Sequence, residues 1–420
     1  MNKNWKYVPF EQLFEWGEKS NIGSRQGKET GKYRLYIASA KEIKYFDEFL
    51  SEGESLIFGT GGNPCIHYVT GKYAYTNHTE SAKCRNSENT CTKFYYYYFQ
   101  KNEYNQLRST FVGGGIKNSS KKRIGALSVP VPCLKEQEQI VFRIEELFSQ
   151  LDDGIKTLER TKEQLKVYRQ AVLKEAFEGK FTETWRKQNQ SSTMTDFEKI
   201  KKNHSIFKDI SGDENELSLN LSDSAIKIRL GEIFEVEVGA TPKRAVPEYW
   251  NGEINWVSSG EVHFNKINVT KETITFEGVK NSSTSVQPSG TVLLAMIGEG
   301  KTRGQAAILN VEAAHNQNTA AILVSKTPCN PKYIYYFLML NYEHTRRVGS
   351  GNNQKALNKE RVKALRFPFV SFNEQNEIVK EIESRLSVCD SIEQTTENAL
   401  KQAEALRQSI LKQAFEGELL

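Results

Sequence analysis

The sequence predicts an α+β protein: two repeated mixed domains separated by a pair of long antiparallel coiled-coil helices, pseudo-twofold symmetric. Three observations carry this. The chain repeats itself at a constant offset, its basic charge sits in two blocks, and a heptad of apolar residues runs through the segment after each block. The limits that follow are 1–133 for the first domain, 134–182 for the first long helix and 183–225 for a polar linker. The second domain takes 226–370 and the second long helix 371–420.

The repeat is read from matched residues. Glu136-Gln137-x-x-Ile140-Val141 recurs as Glu374-Gln375-x-x-Ile378-Val379, an offset of 238. At the same offset Arg169-Gln170-x-x-Leu173-Lys174-x-Ala176-Phe177-Glu178-Gly179 recurs as Arg407-Gln408-x-x-Leu411-Lys412-x-Ala414-Phe415-Glu416-Gly417. The register extends back to Tyr95-x-Tyr97-Tyr98-Phe99 against Tyr333-x-Tyr335-Tyr336-Phe337, and these tyrosines read as the core face of a short helix. The domain openings match more loosely, Val8–Phe14 against Ile228–Phe234 at an offset of 220, so the second domain is 18 residues longer. The extra length enters where the two halves diverge most. A shared scaffold with differing inserts suits two readers of different targets.

Hydrophobic residues at 38% and charged residues at 26% are enough to build cores, and 420 residues suit two or three domains. The net charge of +5 divides unevenly: +7 in 1–133 and +6 in 226–370, against −1, −2 and −5 in the other three segments. Two basic blocks favour a polyanionic partner through attraction and counterion release. The polar N-terminus, the lack of a long apolar run and six scattered cysteines lead us to expect a cytoplasmic protein in a reducing compartment.

In the long helices, Ile144, Leu151, Leu158, Leu165 and Val172 recur every seven residues, as do Ile382, Cys389, Thr396, Ala403 and Ile410. Ile392 and Leu406 occupy the companion d positions of the second helix. Large side chains in one helix against small ones in the other predict that the two pair. Each ends in Ala-Phe-Glu-Gly, with glycine placed as a C-terminal cap. A helix of about 44 residues would span roughly 66 Å, long enough to act as a ruler between two domains.

Several stretches imitate catalytic motifs. Ala295-Met-Ile-Gly298-Glu-Gly300-Lys301-Thr302 resembles a phosphate-binding loop, but its first glycine is missing and the residues that follow read as a strand where a helix is needed. Phe58-Gly-Thr-Gly61-Gly62-Asn63-Pro64 places fragments of two methyltransferase motifs side by side, whereas they belong on separate strands. Cys65, His67, Cys84 and Cys91 lack zinc-site spacing, and no catalytic constellation is readable, so we expect no catalytic residues, metal or cofactor on the chain itself.

What the basic domains do contain is loops rich in side chains that read bases and grip phosphates. Arginine and lysine suit guanine edges and phosphates; asparagine and glutamine suit adenine. The candidates in the first domain are Gly61, Asn63, Asn77, His78, Lys117, Asn118, Ser119 and Lys121. In the second they are Thr241, Lys243, Arg244, Lys301, Thr302, Arg303, Gln305, Asn316, Asn318, Asn353 and Lys355. The glycine-rich stretches 113–122 and 349–355 fall at matching positions of the repeat.

The twin Glu-Gln-x-x-Ile-Val…Ala-Phe-Glu-Gly tails, Phe181-Thr-Glu-Thr-Trp185-Arg186 after the first, the Met296–Gln305 stretch and Asn352-Asn353-Gln354-Lys355 together resemble the specificity subunit of type I restriction–modification systems, over essentially the whole chain. The resemblance implies two target-recognition domains, each reading half of a bipartite double-stranded DNA site. It also implies helices that dock two methyltransferase subunits, and a motor-nuclease subunit in the full complex. S-adenosylmethionine, ATP and magnesium are then expected on those partners. The second tail departs from the pattern by lacking the Thr-x-x-Trp-Arg extension. A fused restriction–methylation enzyme with an unrecognised catalytic site is the alternative, and a scaffold without a DNA role a third reading.

Overall fold

In the computed structural model the described residues are 5–115, 117–189, 192–201, 219–298, 300–347 and 357–419. They divide into two compact units: Met1–Thr161 with Gln394–Leu420, and Lys162–Glu393. Each unit therefore contains one basic domain, the first part of the long helix that follows it, and the last part of the other long helix.

In the first unit, strands Phe14–Trp16, Thr79–Cys84, Ser55–Gly59 and Cys65–Val69 form an antiparallel sheet in that order. A second sheet orders Lys44–Phe46, Tyr33–Tyr36, Lys72–Tyr75 and Ser51–Glu52, its middle pair parallel. The second unit repeats the plan. Val236–Val238, Thr319–Ile322, Val292–Ala295, Ala306–Leu309 and Asn265–Ile267 form the larger sheet, and Glu272–Ile274, Trp250–Val257 and Ala313–His315 the smaller. A two-stranded ribbon closes each domain, Lys6–Pro9 with Ser128–Val131 and Ile226–Arg229 with Arg366–Phe369.

The central strands are apolar on both faces because both are covered. Leu56 and Phe58 point into the core beneath helix Thr92–Ser109, while Ile57 joins Val69, Tyr73 and Tyr75 on the opposite face. Val292 and Leu294 divide from Leu293 and Ala295 in the same way in the second unit. This is the two-residue period of a strand filled on both sides. The tyrosine segments are core, as expected. Tyr95 and Tyr333 are fully buried, and their hydroxyls donate to Pro130 O at 2.9 Å and Pro368 O at 2.7 Å, the carbonyls of the closing ribbons.

The long helices, Leu134–Phe177 and Phe372–Glu416, explain why their ends repeat. Gln137 is fully buried; its Oε1 accepts from the Cys91 N–H at 2.8 Å and its Nε2 donates to Pro132 O at 2.9 Å. Gln375 does the same with the Asn330 N–H at 3.0 Å and Val370 O at 2.9 Å. One amide side chain thus satisfies backbone groups that burial would otherwise orphan, and fixes the helix start to its domain. At the far ends, Phe415 packs on Phe94 and Tyr98 in the first unit, and Phe177 on Tyr333 and Phe337 in the second. Gly179 and Gly417 adopt φ of +74° and +83°, and the N–H groups of Lys180 and Glu418 donate five residues back, to Glu175 O and Gln413 O, both at 3.0 Å. The glycine caps stand where the sequence put them.

Within each unit the helix segments run antiparallel. In the first, Arg407 bonds Asp152 and lies 4.5 Å over the Phe148 ring, while Ile144 shares a core with Ile410, Leu411 and Ala414. In the second, Arg169 bonds Asp390 at 2.7 Å and Glu393 at 2.9 Å, while Leu173 and Phe177 share a core with Ile378 and Ile382. Arg169 with Asp390 and Arg407 with Asp152 are the same pair at the repeat offset. Ile144, Leu165, Val172, Ile382, Cys389, Thr396, Ala403 and Ile410 are buried, and Leu151 and Leu158 half-buried.

The d row corrects the heptad expectation. Ile392 and Leu406 are 41% and 50% exposed. Each helix also packs on a domain, so its buried stripe turns to the a and e rows (Phe148, Arg169, Val379, Arg407, Ala414), and the d flank is left outside.

The stretch after the first long helix, expected as a polar linker, contains two short helices, Glu183–Gln188 and Thr193–Ile200. It is tied down by Glu374, whose side chain is 1% exposed: Arg186 Nη1 reaches its Oε1 at 2.8 Å and Thr182 Oγ1 donates to it at 2.9 Å. That gives the Thr182–Arg186 motif a physical role. In the first unit the matching Glu136 accepts instead from Trp5 Nε1 at 2.9 Å. No helix among the described residues is long and apolar enough to cross a membrane.

Two stability outcomes follow. Arg186→Met leaves the Glu374 carboxylate buried beside hydroxyls alone and should cost about 3 kcal/mol in urea unfolding, whereas Arg186→Met with Glu374→Leu should recover most of it. An additive double variant would show that the pair does not lock the segment. The second concerns His315, fully buried, with Nδ1 2.8 Å from Thr319 Oγ1 and its Nε2 without a hydrogen-bond partner among the described residues. Burial pushes it from 6.5 down to about 4. The folded protein holds it neutral, so its contribution is complete above pH 6.5 and is lost as pH falls toward 4, by about 3 kcal/mol at most. Unfolding titrations at pH 7 and 4.5 should show a steeper acid loss in the parent than in His315→Gln; equal losses would contradict this.

Candidate nucleic-acid interface

The same three loops meet in both units. In the first they are the hairpin tip 60–64, the turn 76–78 and residues 112–115 and 117–120; in the second, the tip residues 296–298 and 300–305, the turn 316–318 and Leu357. Backbone bonds hold them alike. The Thr60 N–H donates to His78 O at 2.9 Å and the Ser119 N–H to Thr60 O at 2.8 Å. In the second unit, the Met296 N–H donates to Asn318 O at 2.8 Å and the Leu357 N–H to Met296 O at 3.0 Å.

Each turn is pinned by its threonine, Thr79 Oγ1 to Thr76 O at 2.8 Å and Thr319 Oγ1 to Asn316 O at 2.9 Å. A short helix follows each third segment, capped by Ser120 Oγ accepting from the Arg123 N–H at 3.4 Å and Asn358 Oδ1 from the Arg361 N–H at 2.9 Å. A frame made mostly of main-chain bonds tolerates almost any side chain at its tips. The tips do differ, in length and in what they present.

In the first unit this convergence gathers Gly61, Asn63, Asn77, His78, Lys117, Asn118 and Ser119. Gly61 pairs with Asn118 as an isolated bridge, and the Gly62 N–H donates to Lys117 O at 3.2 Å. Asn63, Asn77, His78, Lys117 and Asn118 are exposed; Ser119 is half-buried, its hydroxyl 2.6 Å from Thr110 Oγ1. Lys121 is the exception. Its ammonium donates to Gly17 O at 2.8 Å and lies 3.3 Å from Glu80, so it ties the edge of the sheet together rather than standing ready for phosphate.

In the second unit Lys301, Thr302, Arg303 and Gln305 lie on the tip, with Lys301 exposed and the other three half-buried. The tip joins two antiparallel strands, Val292–Ala295 and Ala306–Leu309, which bears out the strand reading and leaves no helix N-terminus for a phosphate-binding loop. Thr241 reaches the turn by donating to Gln317 Oε1 at 2.6 Å, and Asn318 is half-buried there.

Asn316 needs correction: it is 7% exposed, and its Oδ1 caps the turn by accepting from the Asn318 N–H at 3.2 Å. Arg244 needs one too. Both its terminal nitrogens bond Glu272, and the guanidinium lies 3.8 Å from the Trp250 ring centre and 5.1 Å from that of Trp256. The Glu272 carboxyl is held below its usual range by that pairing, so base reading would require the pair to break. Lys243 beside it is exposed. Asn353 and Lys355 lie outside the described residues.

Sequence reasoning missed part of the first unit's surface. A cleft of about 360 Å³ is lined by Gly61, His78 and Asn118 together with Ser24, Ser39, Glu42, Lys44 and Thr76. Lys44 is held there by Ser24 O at 2.9 Å and Glu42 at 3.0 Å. Ser24, Ser39, Glu42 and Lys44 come from the divergent part of the domain, where no repeat partner marks them; only their proximity in the fold does. Among the described residues no group of three or more His, Cys, Asp or Glu could hold a metal, and burial pushes the Cys65 thiol up to about 11.

Comparison with known proteins places this duplicated architecture. The specificity subunit of the EcoKI type I restriction enzyme of Escherichia coli K12 is 26% identical over 329 residues, covering 75% of this chain and 62% of that subunit. For the EcoDI specificity subunit of Escherichia coli the identity is 24% over 99% of this chain and 89% of the relative. Among solved structures, a chain from work on complex assembly and conformational transition of the type I R-M system superposes with a TM-score of 0.71 at 14% identity, covering 100% of this chain and 99% of the other. The HsdS subunit of Thermoanaerobacter tengcongensis gives 0.56 at 13%, covering 99% and 97%. The family model described as the type I restriction modification DNA specificity domain matches twice, over residues 2–167 and 224–402. The chain belongs to the type I restriction–modification DNA-specificity family.

Proposed function

We propose that the chain is the non-catalytic DNA-recognition subunit of a type I restriction–modification complex, each domain reading one half of a bipartite duplex site through its three-loop surface. The family itself brings DNA and a restriction–modification assembly as partners. The finer assignment is that two methyltransferase subunits dock on the long helices and that motor-nuclease subunits complete the complex. In this reading S-adenosylmethionine, ATP and magnesium are held by those partners. Nothing in the family match favours a fused enzyme.

The observation that carries the reading is one backbone frame built twice with different tips. The Thr60–His78 and Met296–Asn318 bonds are the same bond in two domains. Yet one frame presents Gly61, Asn63 and Lys117, and the other Lys301, Thr302 and Gln305. Such a frame supplies common placement on the duplex and leaves the base contacts to vary.

Replacing residues 1–133 by the equivalent domain of a relative, followed by mapping of methylated sites in the assembled complex, should change one half of the recognised sequence and keep the other. A change in both halves would end the modular reading. Phosphate contact is tested separately by salt titration of binding. Lys117→Ala and Lys301→Ala should each lower the slope of log K against log salt by about one. Lys121→Ala should leave it unchanged, since that ammonium is engaged by Glu80 and Gly17; a lowered slope for Lys121→Ala would overturn its assignment.

A further inference from the structure

The longer tip of the second domain has a support of its own. Helix Tyr342–Arg347 runs beneath it. The Tyr342 hydroxyl donates to Lys301 O, and Arg346 Nη2 donates to Gly300 O at 2.6 Å. Arg346 Nη1 also donates to the Tyr342 hydroxyl at 3.1 Å, and its guanidinium lies 5.3 Å from that ring centre. Phe264 meets Tyr342 edge-on, ring centres 5.3 Å apart. The returning arm rests on the same two residues: Gly304 sits at φ +85°, where an added Cβ would lie 3.2 Å from Arg346 Cγ and 3.4 Å from Tyr342 Cδ2.

Two consecutive carbonyls and one glycine of a ten-residue tip are therefore held by one tyrosine and one arginine four positions apart. None of these contacts uses the exposed Lys301 side chain.

The first domain contains the same pair at the repeat offset, Tyr104 and Arg108, but its tip is only five residues. There Tyr104 packs against the domain core instead. The pair is common scaffold, and the longer tip has taken it up as a brace.

We infer that Tyr342 and Arg346 are positioning residues for DNA specificity: by fixing the backbone at 300–304 they set which base the second domain accepts. This rests on the proposal that the tip faces DNA. A loop of this length left free would have to be ordered on binding, and base readout depends on side chains placed before contact. The charge-assisted bond from Arg346 is the strongest of the constraints.

The test uses the full chain assembled with its methyltransferase subunits, and duplexes carrying one substituted base pair in either half-site. Arg346→Met and Tyr342→Phe should each lower discrimination at the second domain's half-site by about tenfold or more, the scale of one misread base pair, and leave the other half-site untouched. The salt slope should be unchanged. A slope lowered by about one would mean Arg346 grips phosphate itself and would overturn the positioning role, as would full discrimination in both variants. Thr302→Ala and Gln305→Ala separate the two levels. If these impair reading while the brace variants do not, the brace is wrong and the tip remains a reader. If they are silent, the tip is not a reader, and the site proposed above falls with it.

Discussion

The structure depends on burying both ends of each long helix. A 44-residue helix with a narrow apolar stripe has little reason to persist in water by itself; tertiary contact at its termini supplies what propensity does not. Gln137 and Gln375 attach the starts by bonding backbone groups of their domains, and Phe415 and Phe177 seal the ends inside aromatic cores. Because each start is anchored in one core and each end in the other, neither unit is complete with its own half of the sequence. The repeated Glu-Gln and Ala-Phe-Glu-Gly motifs are the chemical record of that arrangement.

Above this scaffold the recognition surface is assembled from loops that share main-chain bonds and little else. The division is physically sensible. Main-chain donors and acceptors are the same for every residue type, so a frame built from them survives replacement of the side chains it displays. The cost is that a long tip is not ordered by the frame alone. Where the tip lengthens from five residues to ten, side-chain support from Tyr342 and Arg346 is added.

Much of this was legible in the amino-acid order. The 238-residue offset marked the duplicated plan, the glycines at 179 and 417 marked the helix ends, and the strand after Thr302 excluded a nucleotide loop. Identical residues at identical spacing report a shared environment whatever that environment is. What was not legible follows from the same logic. A heptad says which residues are apolar but not on which side a third neighbour lies, so Ile392 and Leu406 were placed in a seam they do not join. Composition marks Lys121, Arg244 and Asn316 as suited to nucleic acid, yet Glu80, Glu272 and a turn had already engaged them. Lys44 and Ser39 entered the surface only through folding, which no local pattern announces.

The composition of the units has a consequence for synthesis on the ribosome. The second unit is contiguous, Lys162–Glu393, and can close as soon as that stretch has emerged. The first, although begun at the N-terminus, waits for Gln394–Leu420, and with it for Ile410, Leu411, Ala414 and Phe415, which fill its core. Residues 394–420 must therefore be made before the earlier-made domain is sealed. During that interval Phe94 and Tyr98 stand without their final neighbour, a period in which a nascent chain is open to chaperones or to premature association.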